Sequence, residues 1–271
     1  MSKLRKTIKK MLPARAVGTL REGWDALGRL MEWPEAAFHP WRRDTVHRLA
    51  ALHNSRRGER CFIIGNGPSL RDTDMTRLRG EYTLGMNRIY LMFPELGFET
   101  SYYLAINDLV VEQCAAEIQA LKMPRFVAWR AHRWLQPEDD LYFLYTTYTG
   151  PKFAPNAAGR LWEGATVTYT TLQVAFFLGF KQVILIGVDH NFATKGTPNT
   201  TVVSQGDDPN HFSPAYFGKG FRWQLPDLET SERAYWLARQ AYEKAGRQVL
   251  DATVGGKLQV FPKVDYTTLF E

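Results

Sequence analysis

The chain has 271 residues, with 34 Lys and Arg against 28 Asp and Glu, and 45% of it is hydrophobic. That size and mixture exclude a disordered, collagen-like or disulfide-stapled protein and leave one α/β domain with an appendage or two small domains. Lys3, Arg5, Lys6, Lys9, Lys10 and Arg15 fall in a stretch with no acid, so the remainder is charge-balanced; with no basic stripe interleaved with aromatics, it excludes nucleic acid as a partner.

The opening segment, residues 1–50, reads as a helical extension. Leu4, Ile8, Met11 and Leu12 recur at helical spacing among the bases, predicting a short basic amphipathic helix that Pro13 ends or kinks. Val17, Leu20, Trp24, Leu27 and Met31 form a second apolar stripe. A positive helix lying on an anionic leaflet gains roughly 1 kcal/mol per near-surface base. The competing reading is a solvated terminus followed by a helix packed on the domain. No run of ~18 apolar residues and no secretory h-region is present, which predicts a cytoplasmic chain, peripheral on the inner face of the cytoplasmic membrane if residues 1–15 bind lipid. Cys61 and Cys114 lack metal-ligand spacing and read as reduced, buried thiols.

From residue 51 to 271 short apolar runs alternate with helical stretches. Arg60–Ile64, Tyr82–Asn87, Tyr102–Asn107, Arg125–Trp129, Tyr142–Thr147, Gln182–Asp189 and Gln248–Thr253 read as strands. Leu109–Leu121, Thr168–Leu178 and Glu229–Ala245 read as helices, with Gly246 as a C-terminal cap. The alternation predicts a Rossmann-like, doubly wound, mostly parallel sheet with helices on both faces, and ligands in such sheets collect at the carboxyl ends of strands. Residues 191–225 read as a long lid. They are rich in Gly, Pro, Thr, Asn and Asp, yet carry Phe212, Tyr216, Phe217, Phe221 and Trp223.

The chemistry-bearing positions follow the strands. Gly65-Asn66-Gly67-Pro68-Ser69 comes directly after CFII and allows a sharp turn whose N–H groups, with the next helix N-terminus, face an anion such as phosphate. It lacks the Lys-Ser/Thr of a Walker A loop and the third glycine of the dinucleotide fingerprint. Asn87 ends the second strand where an NAD-binding protein would place a carboxylate, so nicotinamide chemistry is disfavoured. Asn107 and Asp189-His190 close two further strands, and the set suits a nucleotide gripped mainly by neutral groups. Thr166 and Thr168 open a helix and offer a cap or phosphate-facing donors. In the lid, His211 is the best-placed imidazole to take a proton from a hydroxyl, with His190 its competitor, while Tyr216 and Lys219 could stabilise a departing phosphate. Asp207 and Asp208 are either oxygen ligands for a divalent ion or simply solvated.

CFIIGNGPSL, Asn87, Asn107 and TTLQVAFFLGFKQVILIGVDHNF, with a looser NHF…YFGKG, together resemble the bacterial CMP-dependent sialyltransferases of the single Rossmann-like domain type. The same residues are equally similar to the bacterial motility-associated and 6-hydroxymethylpterin diphosphokinase-like proteins that share the glycine loop. The resemblance implies that Gly65, Asn66, Gly67 and Ser69 bind the nucleotide phosphate and ribose and that Asn87 and Asn107 contact the sugar nucleotide. It further implies that Thr166, Thr168 and Gly187 line the base and phosphate pocket. In the sialyltransferases a lid histidine acts as base and two tyrosines help the phosphate leave. His211 and Tyr216 fall in the corresponding region with a different local sequence, and Phe192 stands where a tyrosine is expected.

These readings converge on a glycosyltransferase that moves a sugar, in the sialic acid-like nonulosonate class, from a CMP-activated donor to a cell-envelope glycan or lipid-linked acceptor, with no cofactor required. The alternatives are an ATP-dependent diphosphokinase acting on a pterin-like alcohol with magnesium on Asp189, Asp207 or Asp208, and a nucleotide-binding protein without turnover.

Overall fold

The structure, a computed structural model, describes residues 23, 27, 28, 30–148 and 150–271. The predicted basic helix of residues 1–12 and most of the stripe that follows lie outside these; Leu27 and Met31, at its end, are helical and exposed. Among the described residues no helix is long and apolar enough to cross a membrane.

The chain enters the body through α1 (Pro40–Leu52), which packs on the sheet by accepting the Phe143 N–H on Thr45 Oγ1 at 3.2 Å and burying Leu49. There follow β1 (Arg60–Ile64), β2 (Tyr82–Met86) and β3 (Tyr102–Ala105), then α2 (Asp108–Gln113) and α3 (Ala115–Ala120). Next come β4 (Arg125–Ala128), β5 (Leu141–Thr147), β6 (Arg160–Trp162), α4 (Val167–Leu178) and β7 (Gln182–Ile186). The chain ends with a β8–β9 hairpin (Thr201–Val203 and Arg222–Gln224), α5 (Leu228–Lys244) and β10 (Gln248–Asp251).

Eight strands form one sheet in the order β10-β7-β1-β2-β3-β4-β5-β6, and every pairing in it is parallel. Strands buried on both faces need apolar side chains in both directions, which is why RCFII and QVILI read as continuous runs. Cys61, Ile63, Val183 and Leu185 face α4 and α5, while Phe62, Ile64, Ile184 and Ile186 face the connections after β1 to β4 and the aromatics of residues 212–223. The predicted Rossmann-like α/β architecture is the observed one.

Three local features differ from expectation. The helix predicted over Leu109–Leu121 is two, α2 and α3, because the backbone leaves helical geometry at Cys114 (φ −121°, ψ 23°), whose side chain is buried. The segment after the glycine turn is a single 3-10 turn, Pro68–Asp72, and not an α-helix. The region 191–225 carries the antiparallel β8–β9 hairpin, and its aromatics Phe212, Tyr216, Phe217 and Trp223 are buried in the core. Apolar burial of four aromatic rings fixes this segment as part of the body.

β1 to β6 step outward in sequence on one side of β1, whereas β7 and β10 lie on the other. The strand order therefore reverses between β1 and β7. The two adjacent crossovers leave in opposite directions there, opening a crevice at the carboxyl ends of the strands.

Candidate active site

That crevice and the open solvent at its mouth together span roughly 730 Å³. It gathers Gly65, Asn66 and Gly67 after β1, Asn87 after β2, Gly187, Asp189 and His190 after β7, Thr166 and Thr168 at the start of α4, and His211. Asn87, Ala165 and His190 in its wall all have positive φ (51°, 62° and 53°), a costly conformation for non-glycine residues that clusters where function demands it. Among the described residues no Lys or Arg lines it. The carbonyl oxygens of the Asn66 and Asn87 side chains are buried without a hydrogen-bond partner. A buried acceptor left unpaired is unfavourable, which singles out these two amides within the crevice wall.

The glycine turn works differently from expectation. Gly65 N–H donates to the Ile186 carbonyl (2.7 Å) and Gly67 N–H to the Gly187 carbonyl (2.9 Å). Ser69 N–H donates to Asp189 Oδ1 (3.1 Å), and the Ser69 hydroxyl to Asp189 Oδ2 (2.7 Å). The protein's own carboxylate thus holds the place assigned to a phosphate, and Ser69 acts on Asp189 instead of on a ligand. Gly67 is required for the same reason: a Cβ there would overlap the Asp189 carboxylate. Gly67→Ala is expected to lower stability by about 1–3 kcal/mol in urea denaturation, because Asp189 must give up its bonds to Ser69 to make room.

The helix N-terminus that borders the crevice is that of α4. Thr166 caps the helix, its hydroxyl accepting from Thr168 N–H at 3.3 Å, and the first turn opens on the crevice. The Tyr235 hydroxyl of α5 braces the Thr166 side chain at 3.4 Å.

The group best arranged for proton transfer is His211. Its Nδ1 lies 2.6 Å from Oδ2 of Asp208, whose side chain is 3% exposed and also accepts N–H bonds from Asn210 and Phe217. A carboxylate only accepts, so the proton of the neutral ring sits on Nδ1 and Nε2 is left to act as a base. The ring stacks on Tyr216 with centroids 4.0 Å apart and planes within 11°. His190 also lines the crevice. Burial lowers its pKa below the ordinary histidine value, and among the described residues no hydrogen bond orients it.

Several sequence-predicted residues lie elsewhere. Tyr216 is fully buried behind His211, its hydroxyl accepts the Arg88 N–H at 3.3 Å, and desolvation raises its pKa; it stacks on the imidazole and does not line the crevice. Asn107 caps α2, accepting from Leu109 and Val110 N–H, and lines a separate cleft with Arg130 and Glu163. Lys219 is exposed, away from the crevice. Asp207 is exposed while Asp208 is wholly engaged, so the adjacent pair does not converge on one ion. Among the described residues no group of three His, Cys, Asp or Glu side chains is placed to hold a metal. Sequence reasoning missed Asp208 as the partner of His211, although the Asp-x-x-His spacing is a visible signal. It also missed the contribution of α5 through Ser231 and Tyr235.

No protein-family model and no curated protein matches the chain. Among solved structures, the MAf glycosyltransferase from Magnetospirillum magneticum AMB-1 aligns with a TM-score of 0.49 at 14% identity, over 83% of this chain and 38% of that one. A mammalian sialyltransferase aligns with a TM-score of 0.32 at 12% identity, over 79% of each chain. The chain thus spans well under half the length of the Magnetospirillum protein. These are distant likenesses, and the site's own geometry carries the functional reading.

Proposed function

We propose that the chain is a glycosyltransferase using a nucleotide-activated sugar. The observation that carries this is the Asp208–His211 pair at a switch-point crevice that also holds the Asn66 and Asn87 amides and a helix N-terminus, beside the carboxylates of Asp189 and Asp227. His211 Nε2 takes the proton of the acceptor hydroxyl as its oxygen bonds to the anomeric carbon. The bond from that carbon to the phosphate oxygen breaks, and the nucleotide leaves with the electron pair. Asp208 stabilises the imidazolium, and the first turn of α4 receives the charge on the departing phosphate.

A CMP-linked donor fits best. It brings one phosphate, whereas a diphosphate would require more positive charge than a crevice without Lys or Arg supplies. The free carbonyl oxygens of Asn66 and Asn87 match ribose hydroxyls or a base amino group. The reaction requires no metal in this reading. Its acceptor is a cell-envelope glycan or lipid-linked sugar, and residues 1–15 hold the protein peripherally at the inner face of the cytoplasmic membrane.

A thermal-shift series with CMP, CDP, UDP, GDP and ATP, each with and without magnesium, tests the donor class. CMP at about 100 times its dissociation constant is expected to stabilise the fold by about 2.7 kcal/mol. Preference for ATP with magnesium over every pyrimidine nucleotide overturns the proposal in favour of phosphoryl transfer.

A further inference from the structure

Away from the switch point, an open groove runs between helical segment 30–38, α1 and β6. Its wall holds Arg42, only 4% exposed, whose Nη2 donates to the Ala158 and Gly159 carbonyls at 2.7 and 3.3 Å. Nε and Nη1 are buried with no partner, and no carboxylate pairs with this guanidinium among the described residues. Desolvation lowers its pKa to about 10. Two carbonyl dipoles only partly offset the burial of a full positive charge.

Arg43 and Arg160 line the same groove, both exposed. The nearby acids are engaged elsewhere: Asp44 pairs with Arg48 at 2.7 Å and Glu35 with His132 at 3.3 Å. Among the described residues, three guanidiniums border one cavity with no carboxylate in its lining, the charge pattern that suits a phosphate.

The rim decides between a dissolved phosphate and a lipid. Trp33 and Val46 line the groove and are exposed, and Phe38, 68% exposed, packs edge-on against Trp33 with ring centroids 6.0 Å apart. Leu30, one helical turn from Trp33, is equally open. A soluble anion has no use for aromatic and aliphatic side chains held out in water, whereas a membrane interface accommodates both the aromatics and the arginines beside them.

We infer that this groove binds the phosphate of an anionic phospholipid, with Arg42, Arg43 and Arg160 on the headgroup and Trp33 and Phe38 seated in the bilayer interface. The assignment is independent of the reaction proposed above. It adds a contact of the folded body to any attraction from residues 1–15.

Vesicle flotation of the full chain tests it, using phosphatidylcholine alone and phosphatidylcholine with phosphatidylglycerol. Arg43→Glu combined with Arg160→Glu is expected to weaken binding to the anionic vesicles by about tenfold or more. A control of equal charge change away from the groove, Arg133→Glu with Lys181→Glu, is expected to weaken it much less. Trp33→Ser with Phe38→Ser is expected to weaken it without any change of charge. All these positions are exposed, and unchanged circular dichroism shows the variants folded. Equal losses in groove and control variants, or groove variants that bind like wild type, overturn the inference. So does release of the protein from vesicles by inorganic phosphate at the same concentration as lipid phosphate, or a dimer abolished by the groove substitutions while vesicle binding persists.

Discussion

Replacing His211 with alanine is expected to lower glycosyl transfer by about 10²–10⁴-fold while leaving the thermal shift produced by CMP largely intact. The acceptor hydroxyl titrates far above neutrality, so a base must remove its proton as the new bond forms. Only His211 in the crevice combines an oriented ring with a carboxylate behind it. Asp208→Asn is expected to lower the rate by about 10²-fold or more, because an amide can donate to Nδ1 and so place the ring proton on the reacting nitrogen. Tyr216→Phe separates support from chemistry. Its hydroxyl lies behind the imidazole on the Arg88 N–H, so turnover should fall far less than in His211→Ala, and stability by about 1–3 kcal/mol as that donor loses its acceptor. Transfer by His211→Ala at the wild-type rate would remove the imidazole from the mechanism.

Arg125→Met is expected to destabilise the fold by about 3–5 kcal/mol, read from the urea midpoint. Arg125 opens β4 with no exposed surface, donates to the Ile118 and Gln119 carbonyls at 3.1 and 2.8 Å, and pairs with Glu138 and Asp140. It ties the end of α3 to the β4–β5 connection. Methionine fills the volume but leaves two carbonyls and two carboxylates without their common donor. The variant should also respond differently to acid. The hydrogen bond from Arg125 holds the Glu138 carboxyl below its usual pKa. Its stabilisation is therefore complete above the unfolded value of about 4.3 and disappears as pH falls through the lower folded value. The gap between wild type and Arg125→Met should narrow as the solution is acidified through that range. A gap that holds constant down to strong acid would show that the pairing with Glu138 contributes nothing.

Much of this molecule can be read from its chain because parallel strands advertise themselves. CFII and VILI are apolar on both faces, and the glycines that end them mark where two crossovers diverge. The crevice, with Asn66, Asn87, Thr166, Thr168, Gly187 and His211 around it, follows from that one pattern. What stayed hidden depends on contacts between residues far apart in sequence. Nothing near GNGPS indicates that Asp189, 120 positions away from Ser69, fills the turn with its carboxylate. Asn107 looks like Asn87 in sequence, but its backbone is extended (φ −83°) where that of Asn87 is left-handed (φ 51°), and the helix that begins after it claims its side chain as a cap. Tyr216 carries a reactive-looking hydroxyl, but the packing of Arg88 beneath the lid turns it inward. Three-residue strands such as β6, β8 and β9 are too short for alternation to register.

The rooting of Phe212, Tyr216, Phe217 and Trp223 in the hydrophobic interior sets how substrates come and go. Swinging that segment aside would bring four rings into water at about 1.5–3 kcal/mol apiece, a penalty comparable to the stability of a whole small domain. A ligand must therefore pass through the open mouth of the crevice, with the imidazole already in position when it arrives. In the proposed reaction His211 is a fixed anvil and not a closing jaw, and turnover should be insensitive to solvent viscosity wherever bond breaking, not product departure, limits the cycle.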